Sequence, residues 1–145
     1  MKIAIASDHA GFELKKTLKE HFSEHEFIDV GTYTEDSCDY PDYAVLAGEK
    51  VVSGEAEFGI VICGTGIGIS IAANKIKGIR AALCFNEYMA DMSRRHNDAN
   101  VLALGAKVTG DDLAIKITDT WLKSKFEGDR HARRVQKITK IELSQ

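Results

Sequence analysis

Between Phe58 and Gly68 the sequence reads FGIVICGTGIG, so a cysteine stands where a short apolar run gives way to three alternating glycines. Phe58 to Ile62 is rich in β-branched residues and reads as a buried strand. Ile69 to Ile76 is small or apolar and reads as the helix that follows. A strand turning through glycines into a helix aims several backbone N–H groups at one point, with the positive end of the helix dipole behind them. That arrangement binds an anion, here through the amides of Gly64, Gly66, Ile67 and Gly68. Cys63 is expected to ionise more readily beside such a turn, and the thiolate is the reactive form of the side chain. Thr65 adds a hydroxyl inside the turn. The run is neither of two familiar nucleotide motifs. Isoleucines at 69 and 71 break GxGxxG, and no Lys-Ser/Thr pair follows Gly68.

A second set of polar residues follows the first apolar run. Asp8 and His9 follow Lys2 to Ala6 after one residue, Ser7. Asp8 could cap the next helix and His9 could rest on a backbone carbonyl. Placed beside Cys63, the two would instead form a proton-transfer site with Thr65. A zinc site from His9, Cys63 and His96 has no metal-ligand spacing behind it, and no metal is expected. Cys38 in a polar loop and Cys84 at a strand end read as inert. Lys123, Lys125, Arg130, Arg133, Arg134, Lys137 and Lys140 make the C-terminal stretch basic. A solvated helix face is one reading of that stretch.

The elements that must hold these groups alternate. Strands are expected at 2–6, 27–30, 58–62, 79–84 and 101–104. Helices are expected from about Phe12, from Pro41 to about Val52, over 69–76, over 86–95, after Thr109 as cap, and after the break at Gly128. This pattern specifies an α/β fold with a parallel sheet. Ligands in such sheets sit beyond the carboxyl ends of the strands, which selects Ser7–Gly11, Cys63–Gly68 and the loop carrying Lys107.

At 145 residues the chain reads as one domain, with a basic helical tail from about residue 128. Its net charge of −3 weighs against general nucleic-acid binding. No apolar run approaches the ~20 residues of a membrane span, and the first residues lack the apolar core of a signal peptide. Three cysteines without close pairing fit a reducing compartment, so a cytoplasmic location is expected.

The blocks SDHAGFELK at 7–15, DYPDYA at 39–44, CGTGIGISIAANK at 63–75, GIRAALC at 78–84, RHNDANVLALG at 95–105 and GDRHARRVQKI at 128–138 resemble the ribose-5-phosphate isomerase B family. They cover nearly the whole chain in order. The resemblance implies a Rossmann-like, three-layer α/β/α sandwich around a five-stranded parallel sheet. It also implies cofactor-free interconversion of aldose and ketose phosphates by homodimers or dimers of dimers with shared sites. Residue by residue, it makes Cys63 the base between C1 and C2 and Thr65 a proton shuttle. The amides of Gly64 to Gly68 become the hole for the enediolate. His96 assists ring opening, Asp8 and Asn97 meet sugar hydroxyls, His9, Arg130 and Arg134 clamp the phosphate, and Tyr40 lies by the substrate. A branch of the family with glutamate at position 69 and glycine at 63 is set aside, because both residues differ here.

Ribose 5-phosphate is the expected substrate. The alternatives are allose 6-phosphate or galactose 6-phosphate isomerisation, and a non-catalytic sugar-phosphate sensor. The combination of Cys63, Thr65 and His96 exceeds what a sensor needs. Topology adds one more expectation. His96 and Asn97 precede the last strand, so they belong at the sheet edge opposite Cys63 and must serve a neighbouring subunit. A strand of ~5 residues spans roughly 17 Å, beyond the reach of an imidazole.

Overall fold

The computed structural model describes residues 1–145. Five strands, β1 (Lys2–Ser7), β2 (Glu26–Asp29), β3 (Phe58–Cys63), β4 (Ala81–Leu83) and β5 (Val101–Gly105), form one sheet in the order β2-β1-β3-β5-β4. Every pairing is parallel. The helices are α1 (Phe12–His21), α2 (Tyr40–Val52), α3 (Ile67–Ala73), α4 (Glu87–Arg95), α5 (Asp111–Lys123) and α6 (Arg130–Leu143).

The period-two alternation of each strand divides the interior into two layers. Ile3, Ile5, Ile60, Ile62, Leu102 and Leu104 face one way, onto Leu14 and Leu18 of α1, Ala90 of α4, and Ile117 and Trp121 of α5. Ala4, Ala6, Val61, Cys63, Val101 and Ala103 face the other way, onto Ala44 and Ala47 of α2 and Ile69 and Ala73 of α3. Small residues on the second face let α2 and α3 approach closely. The α/β/α sandwich follows from that alternation.

Several boundaries differ from the sequence-based expectation. The glycine turn closes early, so α3 starts at Ile67 rather than 69 and ends at Ala73. β4 is confined to 81–83, because Ile79 and Arg80 are drawn into a turn by Ile76 and Asn100. Thr109 is not the cap of α5. Gly110 occupies that position and Thr109 is buried, its N–H donated to the Gly105 carbonyl.

The last helix is the outlier. α6 buries only His131 and leaves Ile138, Ile141 and Leu143 exposed. It meets the body through a hydrogen bond from the Gly78 N–H to Glu142 and through His131. Between α6 and the β4 edge lies the largest hollow of the chain, about 620 Å³, walled by Ile79, Ala81, Ala82, Asn97, Ile138 and Ile141 among others.

Candidate active site

Register places three strand ends side by side. Ser7 pairs with Ile62 and Cys63 with Gly105, so Asp8, Cys63 and Gly105 reach the carboxyl edge together. The Asp8 N–H donates to the Ile62 carbonyl at 3.1 Å and fixes the first loop against the second.

Cys63 is 5% exposed, and its Sγ accepts a hydrogen bond from the Gly66 N–H at 3.2 Å. Gly66 adopts φ +80°, and a Cβ there would lie 2.9 Å from the Leu104 carbonyl carbon. Only glycine turns the chain here without strain. The Ile67 N–H donates to Thr65 Oγ1 at 3.1 Å, which leaves the threonine O–H free to donate elsewhere. The N–H groups of Gly64, Thr65 and Gly68 have no acceptor within the chain. The Gly66 and Ile67 amides serve the sulfur and the threonine, and those of Gly64, Thr65 and Gly68 are left without a partner in the chain.

Tyr40 leans on this turn. A Cβ at Gly68 would stand 2.6 Å from Tyr40 Cζ, so the ring lies directly against the glycine. Asp8 is a cap as well as a candidate ligand. Its Oδ1 accepts from the Ala10 and Gly11 N–H groups at 3.0 and 3.1 Å, which leaves Oδ2 for another donor. His9 Nδ1 accepts from the Cys38 N–H at 3.2 Å, so a neutral ring carries its proton on Nε2. Cys38, read as inert from the sequence, thus sets the tautomer of His9 through its backbone.

The loop that carries Cys38 is itself anchored by a buried cation. Lys15 is 1% exposed and donates to Asp29 Oδ1 at 2.8 Å and to the Thr32 carbonyl. Burial pushes Lys15 below the ordinary lysine value. For Asp29, burial acts upward, but hydrogen bonds from Lys15, the Gly31 N–H and Lys19 outweigh it and hold the carboxyl below its usual range.

Lys107 also belongs to this edge, although the sequence reading gave it no role. Its Cδ would lie 3.7 Å from a Cβ at Gly64, and no carboxylate sits within ion-pair distance of its ammonium. Its place after β5 was the available signal.

His96, Asn97, Arg130 and Arg134 are elsewhere. α4 runs antiparallel to the strands and returns the chain to the amino edge, where the Asn97 and Asp98 carbonyls accept from the Arg80 guanidinium. The Asn100 carbonyl there accepts the Gly59 N–H at the start of β3. Gly59 and Cys63 are four strand steps apart, about 13 Å. A His9–Cys63–His96 cluster is therefore impossible within one chain. His96 stacks on His131 with ring centroids 4.0 Å apart and planes 10° from parallel. Arg130 and Arg134 open α6 on the same side and have no carboxylate partner within ion-pair distance. The candidate residues thus fall into two groups: Asp8, His9, Tyr40, Cys63–Gly68 and Lys107 at one end of the sheet, and His96, Asn97, Arg130 and Arg134 at the other.

Glu127 and His131 were missed from the sequence. Together with His96 they form the one group of potential metal-binding side chains, with donor atoms within 4.8 Å of one another. Arg95 Nη2 already pairs with the same Glu127 oxygen at 3.1 Å.

Comparison with known proteins agrees with this fold. Residues 3–138 match the family model described as Ribose/Galactose Isomerase. "Ribose-5-phosphate isomerase B" of Escherichia coli (strain K12) is 52% identical over 143 residues, 97% of this chain and 96% of that protein. Among solved structures, ribose-5-phosphate isomerase B of Clostridium thermocellum superposes with a TM-score of 0.98 at 58% identity, covering 99% of both chains. The Mycoplasma genitalium enzyme, solved with bound ribulose-5-phosphate, superposes at 0.94 and 44% identity, covering 99% of this chain and 97% of that one. The chain belongs to the ribose/galactose isomerase family.

Proposed function

We propose that this protein interconverts D-ribose 5-phosphate and D-ribulose 5-phosphate through an enediolate. The observation that carries the reading is Cys63, held at a strand end beside three amides without acceptors in the chain. The Cys63 thiolate takes the proton from C2 of the open-chain aldose and returns it to C1. Charge builds on O1 and O2 meanwhile, and the Gly64, Thr65 and Gly68 amides, free of acceptors in the chain, receive it. The Thr65 hydroxyl carries a proton between those oxygens, and Asp8 Oδ2 accepts from a sugar hydroxyl. The step uses acid–base groups of the chain alone. The Mycoplasma genitalium relative holds ribulose-5-phosphate, the ketose of this pair.

The site is completed by a second copy of the chain. His96 of one protomer opens the sugar ring in its partner's site, where Asn97 binds a hydroxyl. Arg130 and Arg134 then meet the phosphate from across the interface, while His9 Nε2 and Lys107 approach it from the Cys63 side. The division of the candidate residues into two groups supports this reading, as do the exposed Ile138, Ile141 and Leu143 on α6 and the hollow beside them. No helix is long and apolar enough to cross a membrane. The three free cysteines fit a reducing cytoplasm.

A coupled assay of the purified protein on ribose 5-phosphate, allose 6-phosphate and galactose 6-phosphate tests the assignment. Turnover is expected to be fastest on the pentose. Preference for a hexose would replace the substrate, and inactivity on all three would overturn the isomerase reading.

A further inference from the structure

At the amino edge a carboxylate and two imidazoles meet. His96 Nε2 lies 3.5 Å from Glu127 Oε1, and the face of the His96 ring is covered by His131. Glu127 lies just before α6 and His131 in its first turn, and this stretch is tied down. The Glu127 N–H donates to the Arg95 carbonyl at 3.0 Å, and the Arg95 guanidinium pairs with the Glu127 carboxylate. Arg95 pairs in turn with Asp91, whose other oxygen accepts from the Ser124 hydroxyl at 2.7 Å. The end of α4 and the start of α6 are thus clamped on either side of one histidine. That histidine is 34% exposed, so it remains open to a ligand on its far side.

We infer that Glu127 and His131 are positioning residues for His96, holding its proton on Nε2 and its Nδ1 toward the sugar. A carboxylate facing Nε2 favours the tautomer with the proton on that nitrogen, which makes Nδ1 the acceptor. This rests on the isomerase reading above and specifies how its ring-opening step is set up. In that step Nδ1 takes the proton from the anomeric O1–H. C1–O1 becomes the carbonyl, the C1–O4 bond breaks with its electron pair on O4, and the imidazolium returns the same proton to O4. While Nδ1 holds that proton the ring is cationic. Glu127 stabilises it, and a charged His131 would oppose it. Burial first, then the charges of His96 and Arg130, push His131 below the ordinary histidine value. Its Nε2 is buried without a hydrogen-bond partner, as suits a ring kept for its face rather than for its polar atoms.

The test separates ring opening from the proton transfer that follows. 4-Deoxyribose 5-phosphate lacks O4 and has O5 blocked by phosphate, so it remains an open-chain aldehyde. Native protein and the Glu127→Gln variant are assayed on it and on ribose 5-phosphate. His131→Ala serves as a second variant, and circular dichroism and sedimentation confirm fold and assembly. Glu127→Gln is expected to lower kcat on ribose 5-phosphate by about tenfold or more while remaining within about twofold of native on the deoxy sugar. Glu127→Asp, one methylene short, should fail to restore the loss. Equal losses on both sugars would show that the glutamate merely supports the fold, and no loss on either would show that His96 does not need it. Either result overturns the inference alone. Native protein inert on both sugars would overturn the isomerase reading as well.

Discussion

The Gly66 N–H donates to Cys63 Sγ at 3.2 Å, so the glycine turn after β3 holds the sulfur at its rim. Replacing Cys63 by alanine is expected to lower kcat at least a thousandfold, about 4 kcal/mol of barrier, with sugar-phosphate binding retained. The check combines steady-state rates with exchange of the C2 hydrogen for solvent deuterium. Turnover within tenfold of native would remove Cys63 from the role of base.

Gly66→Ala reaches the same sulfur through the backbone. A side chain at φ +80°, pressed toward the Leu104 carbonyl carbon, is expected to destabilise the fold by about 2 kcal/mol or more and to lower kcat. Denaturant unfolding measures the first effect. An unchanged midpoint would mean that the turn relaxes freely.

The arginines of α6 and Lys107 are expected to read the phosphate. Alanine at Arg130, Arg134 or Lys107 should raise KM for ribose 5-phosphate about tenfold or more and leave turnover of unphosphorylated ribose nearly unchanged. Parallel assays on the two sugars decide it, since equal effects on both would place these cations outside the phosphate site.

Sharing of the site is tested by mixing. Cys63→Ala and His96→Ala proteins are each expected to be inactive, whereas under the shared-site proposal a mixed dimer has one site with both lesions and one with neither. Random exchange at equal amounts should restore about a quarter of native activity. Exchange proven by mass-tagged subunits, without that recovery, would show that no site is built from two chains.

Asp29 gives a pH dependence with a definite sign. Its carboxyl is held low in the fold, so its contribution to stability is complete above the unfolded value of about 3.9 and is lost as pH falls through the folded one. Unfolding of native protein and Asp29→Asn followed from pH 6 to pH 2 should show the gap between them shrinking on the acid side. A constant gap would mean that the charge of Asp29 does no stabilising. Lys15→Met should cost on the order of 1–3 kcal/mol in denaturant unfolding, since it strips a partly buried carboxylate of one partner and leaves it Lys19 and the Gly31 N–H.

What could be read in the chain was whatever local chemistry determines. The apolar runs located the strands, the four-residue spacing of Leu14, Leu18 and Phe22 located α1, and Cys63 with its glycines located the reactive end of the sheet. The parallel rule even placed His96 at the far edge before any coordinates. Glu127 and His131 stayed hidden because their roles arise from a contact between residues 96 and 131, and no periodicity in either segment records such a pairing. The inward use of the Gly66 and Ile67 amides was equally invisible, since it depends on the path of a turn rather than on its composition. Thr109 misled because a threonine before a helix usually caps it, whereas burial of this one left the cap position to Gly110.

Under the shared-site proposal, the placing of Cys63 and His96 at two ends of one sheet has a consequence for inheritance. In a duplicated gene, one copy could lose Cys63 and the other His96, and the two products would still make one working site when they pair. Neither copy on its own would then suffice, and selection would hold the two genes together. An enzyme whose chain associates only with itself has no such freedom, because every subunit must act at both ends.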